Sequence, residues 1–309
     1  MSLALIFPGQ GSQFVGMAKS LAASEATAAD TLALADEVLG FSLSGLMAEG
    51  PEAELTATKN AQPAILAHSV AVLRVAQEHL GPVSYAAGHS LGELSAHVAA
   101  GTIGFEDALA AVRVRGELMF EVGQQRPGGM AALIGLSEEE AEDVCGAVDA
   151  GTCVTANFNC RGQVVISGDV AGVAQGMELA QKAGAKRVVE LSVSGAFHSP
   201  LMAPAAEGFR ENLETIEFKD PRYPVISNVT AEPIVRGEEA RELLVRQLTS
   251  PVRWSASIAA MLDKGVKRFV EVGPNRVLCG LNRRNAKGFE CVSIGEPEDL
   301  AGLIARAAD

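Results

Sequence analysis

The chain has 309 residues, 48% of them hydrophobic and 20% charged, enough apolar side chain to bury a sizeable core. Lys plus Arg number 25 against 38 Asp plus Glu, and the formal net charge of −13 argues against nucleic acid or an anionic membrane surface as partner. Aromatics are only 5%, so packing falls to aliphatic side chains, Ala and Gly.

No apolar run reaches the ~18 residues of a membrane span. The first residues lack a basic segment and break at Pro8, so 3–7 reads as a first strand and not as a signal peptide. Short apolar runs at 83–87, 224–227 and 268–272 read as further strands, alternating with helical segments such as one from about 63 to 79. That alternation predicts an α/β fold with a largely parallel sheet. The middle of the chain differs. After Arg126-Pro127-Gly128-Gly129, strands are expected over 130–134, 153–156, 163–167 and 187–191. Helices should follow Ser137, which with Glu140 makes a capping box, and span about 169–183. This β-α-β-β-α-β order is that of a ferredoxin-like unit. The expectation is an α+β subdomain over 128–193 inserted into an α/β domain formed by 1–127 and 194–309.

The five cysteines, Cys145, Cys153, Cys160, Cys279 and Cys291, contain no CxxC pair and read as free thiols of a reducing cytoplasm. Neither a His-Glu-x-x-His zinc-protease pattern nor a P-loop occurs.

Gly88-His89-Ser90-Leu91-Gly92 fits the nucleophile-elbow pattern, with a strand before it and a helix after it. A serine needs a base to take its proton. Of the five histidines, His68 and His97 lie within helices, His97 in reach of Glu93 at i,i+4. His79 sits at a helix C-terminus, and His89 points away from Ser90 within the elbow. His198, in a loop after a strand, is the candidate base, the alternative being a structural loop histidine. Pro8-Gly9-Gln10-Gly11-Ser12-Gln13 lacks the third glycine of a dinucleotide fingerprint, because Phe14 stands there. Its backbone N–H groups, with that of Leu91, suit an oxyanion hole. Ala108, Val112, Arg115 and Met119 form one helical stripe, which turns Arg115 inward. A structural salt bridge or a two-pronged site for a substrate carboxylate would each explain it.

Taken together these motifs resemble the malonyl-CoA:acyl carrier protein transacylase family. The resemblance is carried by Phe7-Pro8-Gly9-Gln10-Gly11-Ser12-Gln13, Gly88-His89-Ser90-Leu91-Gly92-Glu93, Arg115-Gly116-x-x-Met119, Asn157-x-Asn159 with Gln163-Val164-Val165-Ile166-Ser167-Gly168, and Gly195-Ala196-Phe197-His198-Ser199-Pro200-Leu201-Met202. It implies a hydrolase-like parallel-sheet core with the inserted ferredoxin-like subdomain. It implies a Ser90–His198 dyad whose third member is a main-chain carbonyl, that of Gln247 by position. The Gln247 side chain itself reads either as a surface glutamine or as a catalytic amide. Gln10 and Leu91 then form the oxyanion hole, Arg115 takes the malonyl carboxylate, and Phe197 crowds an α-methyl group. Cys160-Arg161 departs from the family pattern at a turn of the inserted unit.

The implied reaction is ping-pong transfer of malonyl from coenzyme A to acyl carrier protein through malonyl-Ser90, with no cofactor and no metal, in the cytoplasm. An acidic carrier must find a basic patch on this acidic chain, and Arg283, Arg284 and Lys287, or Lys186-Arg187, are the densest candidates; an ordinary solvated loop is the other reading. The receiving pathway, fatty acid or polyketide, stays open. An α/β-hydrolase thioesterase is the rival activity, but it would leave Arg115 without a task.

Overall fold

The computed structural model describes residues 2–193 and 195–307. Two sheets organise it. The strands are β1 (Leu3–Phe7), β2 (Val83–Gly88), β3 (Gly128–Ile134), β4 (Cys153–Cys160), β5 (Gln163–Asp169), β6 (Arg187–Leu191), β7 (Val225–Ile226), β8 (Pro233–Ile234), β9 (Arg268–Val272) and β10 (Glu290–Ile294). The helices that bear on function are α1 (Thr58–Ala76), α2 (Gly92–Ala100), α3 (Phe105–Gln125), α4 (Glu138–Gly146), α5 (Val170–Lys182), α6 (Gly237–Gln247), α7 (Trp254–Asp263) and α8 (Val277–Asn285). Among the described residues no helix is long and apolar enough to cross a membrane.

The first sheet runs β10-β9-β1-β2-β7-β8, parallel throughout except for the β7–β8 pair. The central strand β1 is Leu-Ala-Leu-Ile-Phe and buried at every position, the composition a parallel strand covered on both faces requires. Its side chains alternate between two cores. Leu3, Leu5 and Phe7 pack with Val270, Val272 and Ala86, while Ala4 and Ile6 pack with Ala87, Ile226, Trp254 and Phe269. Each fully buried Val, Leu, Ile or Phe among them contributes about 1.5–3 kcal/mol. The register pairs Phe7 with Gly88, so the loops after β1 and β2 leave the sheet side by side.

The second sheet, β4-β5-β3-β6, is antiparallel throughout. Ala131, Leu133, Val164 and Ile166 pack beneath α4 and α5. The opposite face sends Met130, Ala132 and Val165 into the main core. Main-chain bonds join the two units: Phe158 N–H donates to the Val252 carbonyl (2.9 Å) and Val252 N–H to that of Ala156 (2.8 Å). Ser194, where the sequence reading returns the chain to its first unit, lies outside the described residues.

Local signals worked where the chemistry is local. Ser137 and Glu140 form the capping box, and the Asp169 carboxylate caps α5 through Gly172 N–H (2.8 Å). Three expectations need correction. The helix expected from about 63 begins at Thr58, with Pro63 inside it. Pro63 cannot donate to the Lys59 carbonyl, and Arg113 Nη1 fills that place (3.0 Å). Strand β4 continues to Cys160, past the expected end at 156. Cys279 and Cys291 are not free thiols: α8 and β10 bring their Cα atoms to 5.6 Å and they are joined as a disulfide. Cys145, Cys153 and Cys160 remain free.

Candidate active site

The strand-turn-helix from β2 to α2 carries Ser90 with φ at 53°, a left-handed conformation that lifts the side chain off the strand end. Both elbow glycines are obligatory. A Cβ on Gly88 would lie 1.9 Å from the Gly92 main chain, and one on Gly92 would lie 2.3 Å from the Phe7 carbonyl. His198 also holds positive φ, 57°.

Ser90 Oγ lies 2.8 Å from His198 Nε2. His198 Nδ1 lies 2.9 Å from the main-chain oxygen of Gln247 at the end of α6. A carbonyl only accepts, so Nδ1 carries the proton and Nε2 is left to accept the serine hydroxyl. Burial, reinforced by the nearby Arg115 charge, pushes the His198 pKa down to about 3, so the ring is neutral at neutral pH. Such a pair can move the hydroxyl proton to the ring as the oxygen attacks a carbonyl.

Arg115 is only 1% exposed. Its Nη1 donates to Gln62 Oε1 (2.6 Å), and its Nη2 to Gln247 Oε1 (2.8 Å) and to Ser90 Oγ (3.2 Å). All three acceptors are neutral, and no ion pair to Arg115 exists among the described residues. Burial pulls its pKa down to about 10, with Glu93 opposing, and it stays charged at neutral pH. Among the described residues the structural salt bridge considered for Arg115 is absent. The surface reading of the Gln247 side chain also fails: Gln247 is 1% exposed and bonded to Arg115, Ser90 and Glu93.

The loop after β1 completes the wall. Gly9 approaches so closely that a Cβ there would lie 2.5 Å from the His89 carbonyl. Gln10 and Leu91 line the cavity, and neither main-chain N–H has a protein acceptor among the described residues. An oxyanion formed on a carbonyl attacked by Ser90 would meet donors there. The cavity, about 380 Å³, also takes Met130, Asn159 and Leu191 from the second sheet, Leu281 from α8, and Phe197. Glu271 fixes α8 by accepting the N–H groups of Leu278 and Cys279, each at 2.8 Å.

His89 turns away from Ser90, its Nε2 2.8 Å from Asn159 Oδ1. His97 meets Thr102 Oγ1 (3.2 Å) and not Glu93, because Glu93 is drawn to Gln247 and Asn228. Arg283, Arg284 and Lys287 are exposed at the end of α8 and beyond it, and Lys186-Arg187 are exposed on the second unit. None of these five lines the cavity of Ser90. Sequence reasoning missed Gln62, Glu93 and Asn228. Asn228 accepts from Ser90 N–H (2.7 Å) and donates to the Gly88 carbonyl (2.7 Å), a brace that no short motif announces.

A strand-end serine hydrogen-bonded to a buried histidine has the geometry that acyl transfer needs, and residues 4–308 match the family of the acyl transferase domain. The chain belongs to that family. Its relatives include the malonyl CoA-acyl carrier protein transacylases of Bacillus subtilis strain 168, 45% identical over 96% of this chain and 95% of the relative, and of Escherichia coli strain K12, 42% identical over 97% and 98%. Among solved structures, an acyl carrier protein S-malonyltransferase from Vibrio cholerae superposes with a TM-score of 0.94 at 41% identity, covering 98% of this chain and 100% of that one. A type II PKS acyl-carrier protein in complex with its malonyl-transacylase gives a TM-score of 0.95 at 41% identity, covering 99% and 100%.

Proposed function

We propose that this chain is an acyl carrier protein S-malonyltransferase, moving malonyl from coenzyme A to the phosphopantetheine thiol of acyl carrier protein for fatty acid elongation. The observation that carries the reading is Arg115, a buried guanidinium held by neutral oxygens and aimed at the nucleophile. A buried guanidinium without a direct ion-pair partner is costly, its nearest acid, Glu93, acting only across Gln247, and a substrate carboxylate would supply that partner in a two-pronged pair.

In this mechanism Ser90 Oγ attacks the thioester carbonyl and its proton passes to His198 Nε2, while Nδ1–H stays on the Gln247 carbonyl. The N–H groups of Gln10 and Leu91 hold the oxyanion. Collapse expels the coenzyme A sulfur, which takes the proton from Nε2. The carrier thiol then gives its proton to Nε2 and attacks malonyl-Ser90, and collapse returns the proton to Oγ. Phe197, 5% exposed on the cavity wall, would crowd an α-methyl group. The order of the second sheet and its two helices on one face support reading 128–193 as a ferredoxin-like subdomain inserted in a hydrolase-like core.

Intact-mass spectrometry after a brief pulse of malonyl-CoA should show one malonyl group, mapping to Ser90 and removed by acyl carrier protein. Rapid malonate release without carrier, or label on another residue, would sink the proposal.

A further inference from the structure

Glu93, the second residue of α2, is wholly buried beneath the elbow. Its Oε2 accepts from Gln247 Nε2 (2.6 Å) and from Asn228 N–H (3.1 Å). Those two residues hold most of the site. Asn228 Oδ1 takes Ser90 N–H, and the Gln247 main-chain oxygen takes His198. Gln247 Oε1 takes Arg115, and Gln247 Nε2 donates to the Ser90 carbonyl (3.0 Å). The other Glu93 oxygen, Oε1, is buried with no partner among the described residues, and no cation pairs with the carboxylate there.

Burial pushes the Glu93 pKa up to about 7, and a carboxyl group kept there with one oxygen unpartnered needs a purpose beyond packing. A glutamine amide has two ends of nearly equal size, one donating and one accepting, and if turned over it would point N–H groups at the Arg115 guanidinium. The bond to Glu93 is the shortest of those on Gln247 Nε2 and opposes that rotation.

We propose that Glu93 is a positioning residue, which by fixing the Gln247 side-chain amide aims Arg115 at the malonyl carboxylate and so sets the preference for malonyl over acetyl thioesters. The inference rests on the carboxylate-binding role proposed for Arg115. It is tested by the ratio of kcat/KM for self-acylation by malonyl-CoA and by acetyl-CoA. Glu93→Leu should lower that ratio about tenfold or more. Glu93→Gln should recover most of the loss, since its amide oxygen can accept both bonds and its amide nitrogen takes the place of the partnerless Oε1. Gln247→Met, which keeps the carbonyl that holds His198, should lower the ratio like Glu93→Leu, and the double variant should lose no more than either alone.

Equal losses for both thioesters, additive losses in the double variant, or no recovery with Glu93→Gln would overturn the proposal. Should Glu93→Leu fail to fold, an unchanged ratio in Gln247→Met overturns it alone. Arg115→Ala in the same assay separates the two readings. A wild-type chain that forms no malonyl-Ser90, or an Arg115→Ala variant with an unchanged ratio, defeats the proposed function, whereas a selective Arg115→Ala beside an unselective Gln247→Met defeats only the role of Glu93.

Discussion

Two residues of this site, Ser90 and His198, sit at φ of 53° and 57°, where a side chain other than glycine's is strained. The hydrogen bonds through Asn228 and Gln247 keep them there. Ser90→Ala should abolish malonyl labelling outright. His198→Ala should leave a serine that acylates about 10²–10⁴-fold more slowly, read by a time course of intact mass; an unchanged rate would remove His198 from the base role. Arg115→Ala should cost malonyl transfer ~3–5 kcal/mol, the penalty of half a buried pair, with much less effect on acetyl transfer. Equal losses in the two transfers would make Arg115 structural. Ser90 and Arg115 were legible because a pentapeptide and a helical stripe announce them. Glu93, Gln62 and Asn228 were not, since Gln62 meets Arg115 across 53 residues and Glu93 meets Asn228 and Gln247 across 135 and 154, and nothing in the flanking sequence encodes those meetings. The local rule even misdirected Glu93, pairing it with His97 at i,i+4, because a buried amide competes for the carboxylate more strongly than a helical neighbour.

At the scale of elements, the elbow works because β1, β2 and α2 touch main chain to main chain. Gly92→Ala would drive its methyl into the carbonyls of Phe7 and Pro8, at 2.3 and 2.7 Å, groups that cannot swing aside. It should lower the unfolding free energy by about 1–3 kcal/mol in urea and suppress Ser90 labelling; full stability would mean that helix and strand can part freely. Helix α1 offers a test by pH. His68 is fully buried, neither ring nitrogen has a partner among the described residues, and burial pushes its pKa down to about 3. Below the ordinary value of 6.5 the unfolded chain takes a proton that the folded chain refuses. Its contribution is therefore intact above that value and declines as pH falls below it. Relative to His68→Leu, the wild type should lose about 2 kcal/mol between pH 7 and pH 5. A gap between the two proteins that stays constant over that range would show that the folded state protonates His68. The capping box at Ser137 was readable in four residues, whereas the start of α1 was not, because a side chain of α3 serves the carbonyl that Pro63 leaves open.

For the whole molecule, eight of the ten described strands followed from hydrophobic period and turn chemistry, and the second sheet lies within 128–191. The lateral order of the first sheet was not legible, nor was edge strand β10, because pairing between distant parallel strands leaves no mark in either strand alone. The disulfide of Cys279 with Cys291 was missed for the same reason: it joins α8 to that unrecognised strand. These omissions bear on how a carrier would dock. With a net charge of −13, the chain must repel an acidic carrier at long range unless local basic charge offsets it. Helix α8 lends Val277, Leu278 and Leu281 to the cavity of Ser90 and ends in Arg283 and Arg284, with Lys287 just beyond. A carrier gripping that exposed end would therefore sit beside the cavity wall. Arg284 Nη1 also reaches Cys160 Sγ (3.6 Å) on the second unit, so Arg283 and Lys287 make the cleaner test. Arg283→Glu with Lys287→Glu should raise KM for acyl carrier protein severalfold at low ionic strength and flatten its salt dependence, because screening then has less attraction to remove. Formation of malonyl-Ser90 from malonyl-CoA should proceed as in the wild type, since neither side chain lines the cavity. Carrier kinetics unchanged at low salt would move docking to another face, Lys186-Arg187 being the next to test. Slowed acylation by malonyl-CoA would instead assign Arg283 and Lys287 to the phosphates of coenzyme A.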